Sequence, residues 1–365
     1  MADQFHRDNH YVPRLYLKPW ASLGGKVWTY RLLVEHENVP VWKPFSSRAV
    51  ANHEHLYTQI AAGEETDQIE KWFDCEFESP AEEPIRKAIS DKPLTREDWK
   101  HLVRFLALQD VRTPASFARQ MKRLDETLPQ LMKETMESSI QRIQEAKEAG
   151  KAIEPLKLVA AEREGLPLRV SVRRSPSGGG EIGAEMLRGR QLWLWTIKRA
   201  LTQTVKVLHQ HRWTIMKPAK GYKWITSDDP VMRLNYNNLS DYNFNGGWNR
   251  RGTCILLPLG PEHILYTQIG YRMPQRGERM TKENTELIRR FTAEHAWRMI
   301  FAAEEDEQVP SLHPRILNPA EVQYERQQWA TWHEQQTRAE REYQVITDNP
   351  DQLRRAGALL KPTSN

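Results

Sequence analysis

One stretch limits this chain more than any other: His10-Tyr11-Val12-Pro13-Arg14-Leu15-Tyr16-Leu17-Lys18-Pro19-Trp20. Pro13 and Pro19 push Val12 and Lys18 towards extended geometry. Between them Arg14-Leu15-Tyr16-Leu17 has room for little more than one helical turn or a short strand. Three aromatics, a histidine and two cations share this short, stiff segment. A piece so rigid and so rich in large side chains is expected to be clamped against the fold, with later elements converging on it.

With 365 residues the chain can build one large domain or two smaller ones. Its two cysteines, Cys75 and Cys254, are too few for a Cys-ligated zinc site or a disulfide framework. Both read as reduced core thiols, which points to the cytoplasm. Met1-Ala2-Asp3-Gln4-Phe5 lacks an apolar signal core, and no stretch reaches the roughly 18 apolar residues of a membrane helix. No membrane partner is expected. The formal net charge of +5 permits contact with nucleic acid or another phosphate-bearing ligand without demanding it.

After the opening stretch, Lys26 to Tyr30 alternates as a strand, and Val39 to Trp42 is a plausible edge partner. His53, Glu54 and His55 follow. His-x-His spacing can bind metal on a strand, but no third ligand lies nearby in the sequence. From Thr66 to Ile89 the period is helical, with Ile69, Trp72, Phe73 and Phe77 on one stripe and Glu76 near its middle. A carboxylate in that position needs a cation or a metal. Thr95 is expected to cap a helix that runs to Arg112, apolar on most faces and therefore central. His101, Arg104, Phe105, Leu108 and Arg112 share one side, with Gln109 at its margin. Arg104 or Arg112 is the expected partner of Glu76. An arginine fork that holds a carboxylate would equally hold a phosphate.

Thr113-Pro114 ends or kinks this helix. Ser116 to Ala149 reads as a long charged helix. Residues 150–185 read as a flexible insert, because Arg173-Arg174-Ser175-Pro176-Ser177-Gly178-Gly179-Gly180 has the composition of a loop. A helix over 185–212 precedes strands at Trp213 to Met216 and Tyr222 to Thr226. The second strand runs into Ser227-Asp228-Asp229-Pro230-Val231-Met232. An acid at a strand end is aimed by a rigid element, although Asp before Pro also closes local turns. Residues 235–252 read as a surface loop. A strand pair about Gly260-Pro261, a helix from Thr281 to Trp297 and a strand from Arg298 to Ala302 complete the order. The order gives an α+β fold, with a mixed or antiparallel sheet and a large central helical block. One interleaved domain is expected over 1–303, followed by a linker and helical appendage over 304–365.

The opening stretch resembles the signature of a large, mainly bacterial family catalogued as domain of unknown function 4238. Further matching pieces follow in order: Ile69-Glu70 with Glu76, Gln109 to Pro114, Ile225 to Val231, and Leu257-Pro258-Leu259. The resemblance covers roughly residues 9 to 303. At position 229 the family pattern more often has Asn. The resemblance implies a bacterial protein of one common fold and supplies no activity, so the residues are read on their own chemistry.

The chain has no Walker-type loop, Gly-x-Ser-x-Gly elbow, His-Glu-x-x-His or Rossmann fingerprint. Two expectations remain. The first is a metal-dependent phosphodiester hydrolase, nuclease-like. Glu76 and Asp228 would hold Mg or Mn, His10 would move protons and Arg112 would neutralise a phosphate. Tyr11, Arg14, Arg104 and Gln109 are accessory candidates. The alternative is a non-enzymatic binding or regulatory protein whose polar core residues are structural. Convergence of His10, Glu76, Arg112 and Asp228 on one open cleft separates the two.

Overall fold

A computed structural model describes residues 5–22, 24–61, 63–150, 166–174 and 180–348. The chain divides into two compact units. The first holds Met1–Thr58, Thr66–Ser116 and Ile197–His333; the second holds Gln59–Glu65, Phe117–Thr196 and Glu334–Asn365.

The first unit is α+β, and its two larger sheets are antiparallel. The five-stranded sheet has the order Thr214–Met216, His263–Gln268, Cys254–Gly260, Met232–Asn238, Asp241–Asn243. The four-stranded sheet has the order Thr226–Ser227, Met299–Ala302, Lys26–Arg31, Trp42–Ser46. Its inner face packs Tyr30, Leu32, Ile225 and Ile300 against Ala293 and Val309. The Arg96–Val111 helix is apolar nearly all round, and Leu102, Val103, Phe105, Leu106, Ala107 and Leu108 are buried. Its start is fixed by a capping box: Thr95 accepts from the Asp98 backbone and Asp98 accepts from the Thr95 backbone.

The opening stretch forms one helical turn, Arg14–Leu17, and a 3-10 turn, Lys18–Trp20. Tyr16 and Trp20 are fully buried, while Arg14 is exposed. The Tyr16 hydroxyl lies 2.7 Å from Thr226 Oγ1 and donates to the Pro258 carbonyl. Its ring lies 5.9 Å from that of Phe105. One side chain thus touches both sheets and the central helix.

Residues 304–333 belong to the first unit rather than to an appendage. The Asp306 carbonyl accepts from Trp42 Nε1, the His313 carbonyl accepts from Tyr30, and Ile316–Leu317 pairs in parallel with Leu33–Val34. Two of these contacts use main-chain carbonyls as acceptors and the third is a strand pairing, so the side chains give no signal of them. Residues 235–252 are also more regular than expected, since Asp241–Asn243 returns along the end of Met232–Asn238.

In the second unit, the long helix Pro114–Glu148 continues from the first. Part of the expected flexible insert is a hairpin. Leu168–Arg174 pairs with Gly180–Met186, so Arg173 and Arg174 lie on a strand. Loop-like composition at 175–180 masked the alternation of Leu168, Val170 and Val172 in the sequence. Residues 151–165 and 175–179 lie outside the described residues. Arg190 is fully buried and holds Glu340 with two hydrogen bonds, at 3.0 and 2.8 Å. Among the described residues, no helix is long and apolar enough to cross a membrane.

Tyr16→Phe removes a hydroxyl and leaves the Pro258 carbonyl buried without its donor. A loss of about 1–3 kcal/mol is expected. Urea denaturation with an unchanged m-value checks it.

Candidate functional site

The Gln68–Phe73 helix does not run on as a regular α-helix. Asp74–Glu78 is a π turn, and Ser79–Ile89 resumes the α form. In a regular helix Glu78 would lie roughly 80° around from Glu70. The wide turn absorbs about one residue, so eight positions behave like seven and the two acids come within about 20° of one face. Both meet Arg112 at the C-cap of the central helix.

The Arg112 guanidinium is fully buried. Nη1 donates to Glu78, Nη2 donates to the His10 carbonyl at 2.7 Å and lies 3.5 Å from Glu70, and Nε donates to the Tyr57 hydroxyl at 3.2 Å. Tyr57 in turn donates to the Arg112 carbonyl at 2.6 Å. The Tyr57 and Phe73 rings flank the cation, with centroids 5.1 and 5.0 Å away. Burial pushes the Glu70 carboxyl up to about 7, against the pull of Arg112 and with Glu78, Asp74 and Asp67 adding repulsion. One guanidinium faces two carboxylates, and Glu70 is the surplus acid.

Glu76 does not join this group. The π turn carries it to the outer surface, where it is 54% exposed and pairs with Arg104 at 2.9 Å. The Arg104 guanidinium also covers the Phe77 ring at 4.6 Å. The expected partner is present, but the expected burial is not, because the π turn breaks the period that would place Glu76 on the apolar stripe. Such an exposed pair is worth about 0–1 kcal/mol.

His10 supplies Arg112 with its carbonyl rather than its ring. The imidazole Nε2 is buried without a hydrogen-bond partner among the described residues, and burial lowers the ring's pKa. Tyr11 is buried, and its phenol is raised first by burial and next by the Asp228 carboxylate. Asp228 accepts the backbone amides of Trp297 and Arg298 at 2.9 and 2.8 Å, one on each oxygen. Burial pushes its carboxyl up to about 7, although those two amides oppose the shift. Asp229 accepts the Thr113 hydroxyl at 2.8 Å and lies 3.4 Å from His295 Nδ1.

Residues 109–113 are therefore the junction. Asp110 accepts from Trp248 Nε1 at 2.6 Å and pairs with Arg233 at 3.2 Å. Arg112 reaches the opening stretch and the acids of the π turn; Thr113 reaches Asp229. Gln109 is fully buried, and neither amide atom has a partner among the described residues.

Residues 8–306 match the family described as protein of unknown function, DUF4238. The chain belongs to this family. No curated protein and no solved structure matches it. The matched region contains the whole Arg112 cage, including three residues that sequence reasoning passed over as site residues: Tyr57, Glu70 and Glu78. Glu70 lay inside a quoted family piece. Glu78 carried no signal, because only the π turn aligns it.

Two outcomes follow from the cage. Arg112→Leu leaves two acids facing each other and is expected to cost about 3–5 kcal/mol in chemical denaturation. Glu70→Gln tests the surplus acid. Below its ordinary value of 4.5 the group is protonated in both states. Between 4.5 and about 7 the folded state keeps the proton that the unfolded state has lost. Stability therefore falls as pH rises through that window, by up to about 1.4 kcal/mol per pH unit. The melting temperature of Glu70→Gln should gain on the parent between about pH 5 and about pH 8.

Proposed function

We propose that this chain works by binding, as a non-enzymatic binding or regulatory protein, and that its buried polar residues hold the fold. One observation carries the reading: every nitrogen of the Arg112 guanidinium is already engaged by the chain itself. A phosphate would have to displace Glu78 or the His10 carbonyl. The metal half of the hydrolase reading meets a similar obstacle. Mg2+ and Mn2+ need carboxylate oxygens open to the ion, whereas both Asp228 oxygens accept main-chain amides and Glu76 is bound to Arg104 on the surface. A phosphate-bearing partner, nucleic acid included, therefore has no open cation at Arg112. The two free thiols, with Cys75 exposed, support a cytoplasmic location.

The test is turnover of DNA, RNA and nucleotides by the purified full chain with Mg2+ or Mn2+. No product above the buffer control is expected. Turnover that disappears in both Asp228→Asn and Glu70→Gln would overturn the binding reading and restore a hydrolytic centre.

A further inference from the structure

A second surface lies at one end of the five-stranded sheet. Thr214–Met216 pairs with His263–Gln268, which pairs with Cys254–Gly260. The residues just before Thr214, just after Gln268 and just before Cys254 therefore lie side by side. Hydrogen bonds beyond the strand ends hold them there. The Gly252 amide donates to the Ile269 carbonyl and the Ile269 amide to the Thr253 carbonyl, both at 2.9 Å, and the Thr267 hydroxyl donates to the Arg212 carbonyl at 2.7 Å. Residues 204–213, 244–253 and 268–277 contain no Asp or Glu, yet they bring Arg212, Arg250, Arg251 and Arg272 to this edge. All four are exposed. We infer that this surface binds single-stranded nucleic acid, with the four arginines on phosphates and the Tyr271 ring against a base. The inference rests on the binding reading and deepens it by naming the class of partner.

The state of the four arginines is the first support. Elsewhere in this unit arginine is spent on acids: Arg112 on Glu78, Arg233 on Asp110 and Arg289 on Asp306. Among the described residues none of the four at the sheet end is ion-paired. Cations gathered without counter-charges raise the local positive potential and draw in a polyanion. The planar guanidinium fork also matches a phosphate at two points. These are open cations, which Arg112 is not.

Tyr271 supplies the contact to a base. It sits in the turn after His263–Gln268, where its amide donates to the Gln268 carbonyl at 3.1 Å. The same turn is tied down by the Gln268 amide, which donates to the Met273 sulfur at 3.3 Å. Tyr271 is 52% exposed, unusually open for so large a ring. The Arg251 guanidinium lies 5.7 Å from its centroid. Gly270, at φ 82°, makes room for this approach, since a Cβ there would come within 2.9 Å of Arg251 Cγ. An exposed ring with a cation beside it is a stacking platform for a base. Bases inside a duplex already have both faces covered, so the arrangement selects a single strand.

Fluorescence anisotropy of a labelled oligouridylate of about 12 nucleotides, titrated with the full chain, tests the surface. Binding is expected at low salt, with log K falling by roughly 3 for each tenfold rise in salt if four phosphates are neutralised. Arg250→Gln combined with Arg251→Gln should weaken binding about tenfold or more and cut that slope by roughly 1.4. Tyr271→Ser should weaken binding roughly fivefold or more and leave the slope unchanged. Lys26→Gln, on the four-stranded sheet, should bind as the parent does. Because the altered positions are exposed, each variant should melt with the parent. The surface is overturned if the parent does not bind at low salt, or if it binds a duplex of equal length or phosphatidylserine vesicles as tightly as the single strand. Equal affinity in the parent, the double variant and Tyr271→Ser would overturn it too. The binding reading fails separately: oligonucleotide binding followed by cleavage in Mg2+ would keep the surface and end the non-enzymatic reading.

Discussion

A guanidinium removed from water is the constraint on which the rest of the first unit depends. Taking Arg112 out of solvent carries a desolvation penalty of several kcal/mol, which attraction offsets only when the remaining donors are also satisfied. The chain meets that condition with groups from three separate segments: the His10 carbonyl, the Tyr57 hydroxyl, and the Glu70 and Glu78 carboxylates of one helical segment. None of these segments can shift without exposing an unpaired charge to the core. The π turn follows from the same demand, since it aligns two acids that a regular helix would place on different faces.

The neighbours of Arg112 extend this control to the sheets. Asp110 faces the other way, to Trp248 and Arg233, and Thr113 turns to Asp229 at the start of the Asp-Pro turn. Asp228 next to it ties the same turn to the amides after the Lys282–His295 helix. Asp110, Arg112 and Thr113 thus connect the opening stretch, the acidic helix, the five-stranded sheet and the Asp-Pro turn, which in turn holds the end of the Lys282–His295 helix.

Much of this was legible in the sequence, for definite reasons. The cap at Thr95, the central helix and the strand pair about Gly260-Pro261 rest on local chemistry, and the structure has all three. The importance of Arg112 was legible from a charge on a helix apolar nearly all round. Its partner was not. A period of 3.6 places Glu76 inward and says nothing of Glu78, and only a departure from that period reverses them. The chemistry legible at His10 is that of its ring, yet Arg112 uses its carbonyl, which any residue could offer. The segment 304–333 escaped for the same reason, because main-chain acceptors and a two-residue strand pairing hold it. Sequence patterns report side-chain periodicity well and main-chain bonding to distant segments hardly at all.

The same cage bears on the segment that carries His53 and His55. His10 gives its carbonyl to Arg112, while the Asp8 carboxylate, on the same strand, accepts from Asn52 at 2.8 Å. Between them Asn9 is buried and accepts the Tyr57 amide at 3.2 Å, and the Tyr57 hydroxyl donates to the Arg112 carbonyl. The short segment from Asn52 to Tyr57, which carries His53 and His55, is therefore pinned at one end by strand pairing and at the other by the ion cage. A strained φ at His55 persists because both ends are fixed.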